Sequence, residues 1–230
     1  MELADDKLIL GLPPFRDLAR AERAEILRDG KRVAAAEGAV VFAEGALAGA
    51  FFLLVSGRVK VVQVTPDGGQ IVAHFVAPGQ FFGLAVAVGL SAYPGTAIAA
   101  SASVALSWPA TAWAGLAAAH PGFAETALLT VGSYLQEAFA RLRQVASVRV
   151  EQRIAHALLR LLGQSGERGE RATEIAFPVT RQDVAEMAST TLHTVSRTLH
   201  AWEKAGILSG GRRRIVIRDA PALIRIAGEA

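Results

Sequence analysis

The sequence predicts an α+β chain: an N-terminal antiparallel β-roll, a long dimerisation helix and a C-terminal winged helix-turn-helix. Three observations predict this class. Short apolar runs between glycine and proline turns follow Arg32, a heptad of apolar residues comes next, and two short capped helices and a basic hairpin lie towards the end. Closely spaced strands with turn signals are typical of antiparallel sheets. The predicted domains are 1–119 (β-roll with N-terminal helices), 120–147 (dimerisation helix) and 148–230 (DNA-binding domain).

Composition and charge narrow the possible functions. The 230 residues are 52% hydrophobic, which is enough material for two cores. Residues 1–147 hold 11 Lys/Arg and 12 Asp/Glu, a net charge of −1, whereas residues 148–230 hold 13 and 9, a net charge of +4. The basic excess therefore lies where a polyanion would bind. The chain has no cysteine, which excludes disulfides and cysteine-ligated iron–sulfur clusters. Residues 1–6 lack the pattern of a signal peptide, and we expect a cytoplasmic protein.

In the N-terminal half, residues 12–31 indicate one or two short helices, and strands follow. The runs that predict strands are Val40–Phe42, Phe51–Val55, Val59–Val64 and Ile71–Val76. From Gly68 to Ala124 the chain contains no Asp, Glu, Lys or Arg. A membrane-spanning helix is one interpretation of such a run, but Pro78, Pro94 and Pro109 interrupt it. The sequence therefore favours a sheet domain around a dry pocket, with no membrane partner.

The segment from His120 to Ser147 predicts the long helix, and its apolar residues predict that it pairs with a second copy. They recur at steps of three and four, the spacing of a coiled-coil seam. The predicted dimer interface is Leu128, Val131, Leu135, Ala138, Leu142 and Val145. A helix packed only on its own domain is the alternative. Glu137 and Arg141 are spaced for an ion pair on this helix. The chain should bend near Ser147–Val150, where the last domain begins.

Two capped helices are predicted between Thr180 and Gly206. Thr180 and Asp183 have the spacing of a capping box, Thr190 or Thr191 can cap the second helix, and Gly206 can end it. The second helix places its apolar residues on one inward stripe, which consists of Leu192, Val195, Leu199 and Trp202. Its polar residues remain as candidate DNA contacts: Thr191, His193, Thr194, Ser196, Arg197 and His200.

A basic hairpin is predicted directly after these helices. It runs from Ile207 to Ile217, and its turn carries Arg212, Arg213 and Arg214. Arginines at such a turn suit phosphate contacts, which position a protein on DNA without reading sequence. An ordinary helical hairpin with solvated charges is the alternative interpretation, and the agreement of caps, stripe and basic turn argues against it.

This order of parts resembles the Crp/Fnr family of bacterial transcription regulators over nearly the whole chain. The most specific matches are Pro78-Gly-Gln-Phe-Phe-Gly83 and Val195-Ser196-Arg197. The resemblance implies a cyclic-nucleotide-binding-like β-roll, a homodimer and a palindromic site on double-stranded promoter DNA, with RNA polymerase as a further partner of an activator. It implies that Arg197 reaches guanine and that Ser196 contacts DNA beside it. His193 stands where the family usually has an acidic residue, so the half-site should differ from the usual consensus.

The resemblance also locates an effector pocket, although this chain departs from members that bind cyclic AMP. The implied pocket residues are Phe82, Gly83, Leu84, Tyr93, Thr96, Ala138 and Phe139. Leu84 stands where those members have Glu, and Gly95-Thr96 stands where they have Arg-Ser. A buried phosphate needs a matching cation, and the uncharged stretch supplies none. We therefore predict no cyclic AMP, and the absence of cysteine excludes the family's iron–sulfur type.

For the effector itself, two alternatives remain open. Tyr93-Pro94-Gly95-Thr96 and the helix around Arg197 resemble the nitric-oxide-responsive branch that governs denitrification genes, which is thought to use haem. His74, the only histidine in the roll, is the candidate haem ligand. The other alternative is an unidentified apolar ligand.

Two other classes of protein are alternatives to a DNA-binding regulator. A metalloenzyme on a double-stranded β-helix needs a His-x-His pair and a later acidic residue, and His74 stands alone. No Ser-His-Asp or paired-carboxylate arrangement is evident, so we predict no enzymatic activity. A dimeric interaction module that does not bind DNA is the second rival, against which Arg197 and the basic hairpin argue.

Overall fold

The structure, a computed structural model, describes residues 9–16, 18–165, 173–211 and 213–228. Its contacts divide the chain into two compact units. The first comprises Met1–Gln63 and His74–Glu137, and the second comprises Val64–Ala73 and Ala138–Ala230. The division falls inside the long helix, so that this helix contributes residues to both units.

Two four-stranded antiparallel sheets form the β-roll within the described residues. Their strands are β1 (Lys31–Ala35), β2 (Val40–Phe42), β3 (Ala50–Ser56), β4 (Val59–Val64), β5 (Gln70–Val76), β6 (Phe81–Phe82), β7 (Thr96–Ala99) and β8 (Ser103–Pro109). The orders are β1-β8-β3-β6 and β2-β7-β4-β5. Strand β3 is central, and five consecutive apolar residues of it are buried. The predicted strands are confirmed, while β1, β6, β7 and β8 have no predicted counterpart.

Helices pack against the β1-β8-β3-β6 sheet of the roll. They are α1 (Arg20–Arg28), α2 (Trp113–Ala119) and α3 (Pro121–Ser147), with 3₁₀ turns at Pro13–Phe15, Leu84–Val88 and Ala110–Ala112. Phe123 of α3 is fully buried against Phe81 and Trp108. The Trp108 indole donates to the Ile26 carbonyl at 2.8 Å and so holds α1 to β8. Among the described helices, none combines the length and hydrophobicity that crossing a bilayer requires.

The second unit contains the remaining helices and a three-stranded sheet of order β10-β11-β9. Its elements are α4 (Val150–Ser165), β9 (Thr173–Glu174), α5 (Arg181–Met187), α6 (Leu192–Lys204), β10 (Leu208–Gly211), β11 (Arg214–Ile217) and α7 (Ala220–Ala227). The bend before Val150 and the β10–β11 hairpin are confirmed. Strand β9 ends at Glu174.

The caps that the sequence predicts are present at both short helices. The Thr180 hydroxyl accepts from the Asp183 N–H at 3.0 Å, and the Asp183 carboxylate accepts from the Thr180 N–H at 2.9 Å. Thr191 rather than Thr190 caps α6, since its hydroxyl accepts from the Thr194 N–H at 3.2 Å. Gly206 follows the end of α6 with a φ of +74°, the left-handed conformation that glycine adopts without strain.

Replacing Thr191 with Ala is expected to lower the free energy of unfolding by about 0.5–2 kcal/mol, because an amide of the first turn loses its acceptor. The Thr190→Ala variant is the matched control, and its effect should stay within about 0.5 kcal/mol. Urea denaturation of both variants, followed by circular dichroism, measures the difference. Equal losses would contradict the assignment of Thr191 as the cap.

Candidate DNA-contacting face and effector cavity

Helix α6 packs through one side and exposes the other. Val195, Leu199 and Trp202 are buried, and the Trp202 indole donates to the Glu151 carboxylate of α4 at 3.2 Å. Leu192 was predicted to belong to this inward stripe, and that prediction is wrong because its side chain is 47% exposed. Leu192 is the first residue of α6, so its side chain lies at the end of the stripe. Three apolar anchors are therefore enough to fix which side of α6 faces outward.

The outward side of α6 carries four exposed polar residues at steps of four, three and four. They are His193, Arg197, His200 and Lys204. Three of them are predicted candidates, and Lys204 was missed although its helical spacing from Arg197 could have revealed it. His200 Nδ1 lies 3.7 Å from Glu203 Oε2. This side is therefore polar, and Arg197 and Lys204 give it two positive charges.

The other predicted contacts on α6 lie beside this face. Thr191 is exposed, whereas Thr194 and Ser196 are half-buried. The hydroxyls of Thr191 and Thr194 lie 2.9 Å apart, so the cap already uses both. An anchor that sequence reasoning missed is Arg153 of α4, which donates to the carbonyls of Ala188 and Ser189 in the turn before α6, at 2.9 and 3.2 Å. Arg153 thereby fixes the turn that orients α6.

Two of the three arginines predicted for the turn of the β10–β11 hairpin lie within the described residues. Arg212 lies outside the described residues. Arg213 is exposed and has a φ of +65° at the turn. Arg214 donates two hydrogen bonds, of 2.7 and 2.6 Å, to the Glu174 carboxylate of β9. Glu174 pairs with Val216, two residues beyond Arg214, so both side chains lie on one face of the sheet. A phosphate contact by Arg214 would therefore require this pair to open.

The Arg214–Glu174 pair responds to pH in a defined direction. Hydrogen bonds from Arg214 hold the pKa of Glu174 below its ordinary value, and the carboxylate raises the pKa of Arg214. The pair is therefore intact at neutral pH and is lost in acid, when Glu174 takes up a proton.

We expect the Glu174→Gln variant to bind DNA more tightly than the parent protein at neutral pH, because it releases the Arg214 guanidinium for a phosphate. The slope of log affinity against log salt concentration should steepen by about one. Fluorescence anisotropy at several salt concentrations measures both quantities. The Glu174→Gln/Arg214→Ala variant is the control, and a gain that persists in it would show that Arg214 is not the cause.

The β-roll of the first unit encloses an apolar cavity of about 210 Å³. It is lined by Phe42, Val61, His74, Phe82, Gly83, Leu84, Ala85, Val88, Leu90, Tyr93, Pro94, Gly95, Val131 and Tyr134. Four of the predicted pocket residues are among them: Phe82, Gly83, Leu84 and Tyr93. Gly83 has a φ of +66°, and a Cβ there would lie 3.0 Å from the rings of Phe42 and Phe52. The wall of the cavity therefore requires glycine at this position.

Three predicted pocket residues do not line the cavity. The Thr96 hydroxyl accepts instead from the Glu44 N–H at 2.9 Å. Ala138 and Phe139 are exposed. Helix α3 contributes Val131 and Tyr134, which are one turn apart and face the same way. Phe139 lies five residues beyond Tyr134, which turns it to another side of the helix.

Two tyrosines of the cavity are fixed by the backbone. The Tyr134 hydroxyl donates to the Phe81 carbonyl at 2.9 Å, and the Tyr134 ring stacks on His74 with 3.6 Å between centroids. The Tyr93 hydroxyl donates to the Ala50 carbonyl at 2.7 Å, and its ring stacks on Phe42 at 3.9 Å. Burial raises the pKa of both phenols, so both are neutral at physiological pH.

The lining does not fit a haem. The volume of about 210 Å³ is below that of pockets for drug-sized ligands, roughly 300–1,000 Å³. The lining residues include no lysine or arginine to pair with propionates. Within the described ranges, no group of three His, Cys, Asp or Glu residues could hold a metal ion.

Helix α3 exposes a row of large apolar side chains. Five of the six predicted interface residues are exposed: Leu128, Leu135, Ala138, Leu142 and Val145. Val131 is different, because it packs on the core of the first unit and lines the cavity. Leu129 and Phe139, which are not among the residues predicted for the interface, are exposed beside the row. Exposed apolar residues in such a row mark an interaction surface.

Arg141 of α3, which the sequence predicts to pair with Glu137, makes contacts that its spacing does not reveal. The Arg141 guanidinium donates to the carbonyl oxygens of Val72, at 2.8 Å, and Ala73. Both acceptors belong to β5. Arg141 therefore connects α3 to the hairpin of β4 and β5 within the second unit.

Two family models match the chain, one in each half. The cyclic nucleotide-binding domain matches residues 32–120, and the Crp-like helix-turn-helix domain matches residues 152–226. The cyclic AMP receptor protein of Thermus thermophilus is 27% identical over 94% of this chain and 97% of its own length. The nitrogen fixation regulation protein FixK of Azorhizobium caulinodans is 28% identical over 83% of this chain and 77% of its own length. The solved structure of a Thermus thermophilus transcriptional regulator, TTHB099, has a TM-score of 0.72 at 25% identity and covers 87% of this chain and 97% of its own.

Proposed function

This chain belongs to the Crp/Fnr family of transcription regulators, and on that premise we propose that it acts as a homodimer that binds a palindromic promoter site under the control of a small effector. The outward side of α6 carries the proposal. An α-helix fits the major groove, and Arg197 on this side has the planar fork that suits O6 and N7 of guanine. Two such helices in a two-fold dimer would meet successive major grooves, about 34 Å apart.

The exposed row on α3 supports the dimer, and the cavity supports control by an effector. Val131 and Tyr134 of the cavity lie on the same helix as Leu135 and Leu142 of the exposed row. A ligand in the cavity would therefore contact the helix through which the subunits pair. If the regulator activates transcription, RNA polymerase is a further partner.

Binding of the purified protein to the DNA upstream of its own operon tests the proposal. We expect a specific complex at least about 1,000-fold tighter than the complex with random DNA of equal length. Sedimentation should show a dimer. Equal affinity for both DNAs would instead favour the dimeric interaction module that does not read DNA.

The lining of the cavity argues against cyclic AMP as the effector. A phosphate that enters an apolar cavity needs a cation, and no lysine or arginine is among the lining residues. Leu84 and Gly95, which line the cavity, stand where members that bind cyclic AMP carry polar residues. The Thermus relative is named a cyclic AMP receptor protein, and we propose that this chain differs from it in its effector. Calorimetry with cyclic AMP should detect no binding.

A haem-based response to nitric oxide is the alternative that the resemblance around Tyr93 raises. The volume of the cavity and its uncharged lining do not favour it. A visible absorption spectrum recorded without oxygen, after haem has been added, tests it. We expect no Soret band beyond that of free haem, and a new band that moves with nitric oxide would establish the alternative.

A further inference from the structure

We infer that the cavity takes an uncharged, apolar molecule of one or two fused rings, which contacts the ring pair of His74 and Tyr134. The inference rests on the proposed function, because it names the class of effector that this regulator would answer. The size of the ligand, its lack of charge and its aromatic character are three separate requirements. Each follows from a different feature of the cavity.

The size of the ligand follows from the volume. An engineered apolar cavity of about 150 Å³ stays dry and binds benzene. The cavity of this protein, at about 210 Å³, admits a single substituted ring or a fused pair such as indole. Val88 and Leu90 line it and are each about half exposed, so they form its entrance. A nucleotide, with its base, sugar and phosphate, exceeds this space.

The lack of charge follows from the polar groups of the lining. The hydroxyls of Tyr93 and Tyr134 donate to backbone carbonyls and are committed to the fold. No Asp, Glu, Lys or Arg is among the lining residues. His74, the one imidazole of the lining, has its ring face against Tyr134. A charged ligand would therefore lose its hydration without meeting an Asp, Glu, Lys or Arg side chain, which is costly in an apolar environment.

The aromatic character follows from the rings that form the cavity. Phe42, Phe82 and Tyr93 come from the β-roll, and Tyr134 comes from α3. Aromatic rings prefer offset-stacked or edge-to-face contacts with one another, so a flat ligand gains more here than a branched aliphatic one. The bound ligand would contact Tyr134 and Val131, so that its binding would act directly on α3.

Nitrobenzene and benzoate, which have the same shape but differ in charge, test the inference on the full chain. Isothermal titration calorimetry should detect nitrobenzene binding, whereas benzoate should bind at least about 100-fold more weakly. Saturating nitrobenzene should change the affinity for the promoter site by about fivefold or more. Equal binding of both compounds would overturn the uncharged class, and nitrobenzene binding that leaves DNA affinity unchanged would overturn the effector role.

Variants that fill the cavity complete the test. Val61→Phe places a ring inside the cavity, whereas Val40→Phe adds the same ring at a position that is 57% exposed and lies outside the lining. The first should abolish the nitrobenzene signal, and the second should keep it. Val131→Phe is the substitute if circular dichroism shows that the first variant does not fold. If the parent protein binds nitrobenzene but never DNA, the proposed function fails while the assignment of the ligand class stands.

Discussion

A Leu135→Glu/Leu142→Glu variant is expected to sediment as a monomer and to lose at least about 100-fold in affinity for the promoter site. The two leucines are 54% and 67% exposed on α3, and both belong to the predicted coiled-coil seam. In a dimer they would face their counterparts, so four carboxylates would meet in an apolar seam. A monomer also loses the second half-site, which a dimer binds as an intramolecular step.

Sedimentation velocity and fluorescence anisotropy measure the two effects. Because both leucines are exposed in the protomer, circular dichroism should remain that of the parent protein. The Gln136→Glu/Arg143→Gln variant is the matched control, since it changes the net charge equally at exposed neighbouring positions of α3. It should remain dimeric. If the double-leucine variant sediments as a dimer, the dimer interface does not lie on this row.

Local patterns in the sequence predict those parts of the fold that depend on local chemistry. Strands β2 and β4 coincide with the apolar runs Val40–Phe42 and Val59–Val64, and the cap at Thr180 follows from the Asp three residues later. Strands β6 and β7 are too short or too rich in alanine to stand out from their surroundings. Their place in the sheets comes from pairing partners far along the chain, such as β3 for β6.

Residues brought together over long distances account for most of what the sequence does not predict. His74 and Tyr134 are sixty positions apart, and no spacing rule connects them. Val131 fits a heptad by count, yet at about 100° per residue it lies about 60° around the helix from Leu128, on the side that packs on the core. The Arg214–Glu174 pair likewise depends on the register of β9 against β11. Sequence patterns therefore located α6 and its outward residues well, and the cavity only in part.

Replacing Arg197 with Ala is expected to weaken binding to the promoter site by about 1–3 kcal/mol, while binding to random DNA changes little. Arg197 is exposed at the centre of the outward side of α6, between His193 and His200. A bidentate contact with one guanine is lost in the variant. The preference for that base pair should be relaxed, and preferences elsewhere in the half-site should remain. Anisotropy with a set of single-base operator variants measures this pattern.

Two further variants separate base reading from simple charge. Arg197→Lys keeps the charge but loses the planar fork, so it should resemble Arg197→Ala on the promoter site and the parent protein on random DNA. Lys204→Ala, at the far end of the same exposed row, should weaken both DNAs alike and lower the salt dependence by about one. If Arg197→Lys restores full affinity for the promoter site, Arg197 contacts phosphate, and sequence must be read by the other outward residues. If Arg197→Ala and Arg197→Lys both lose the preference for one base pair only, α6 reads sequence through the guanidinium of Arg197.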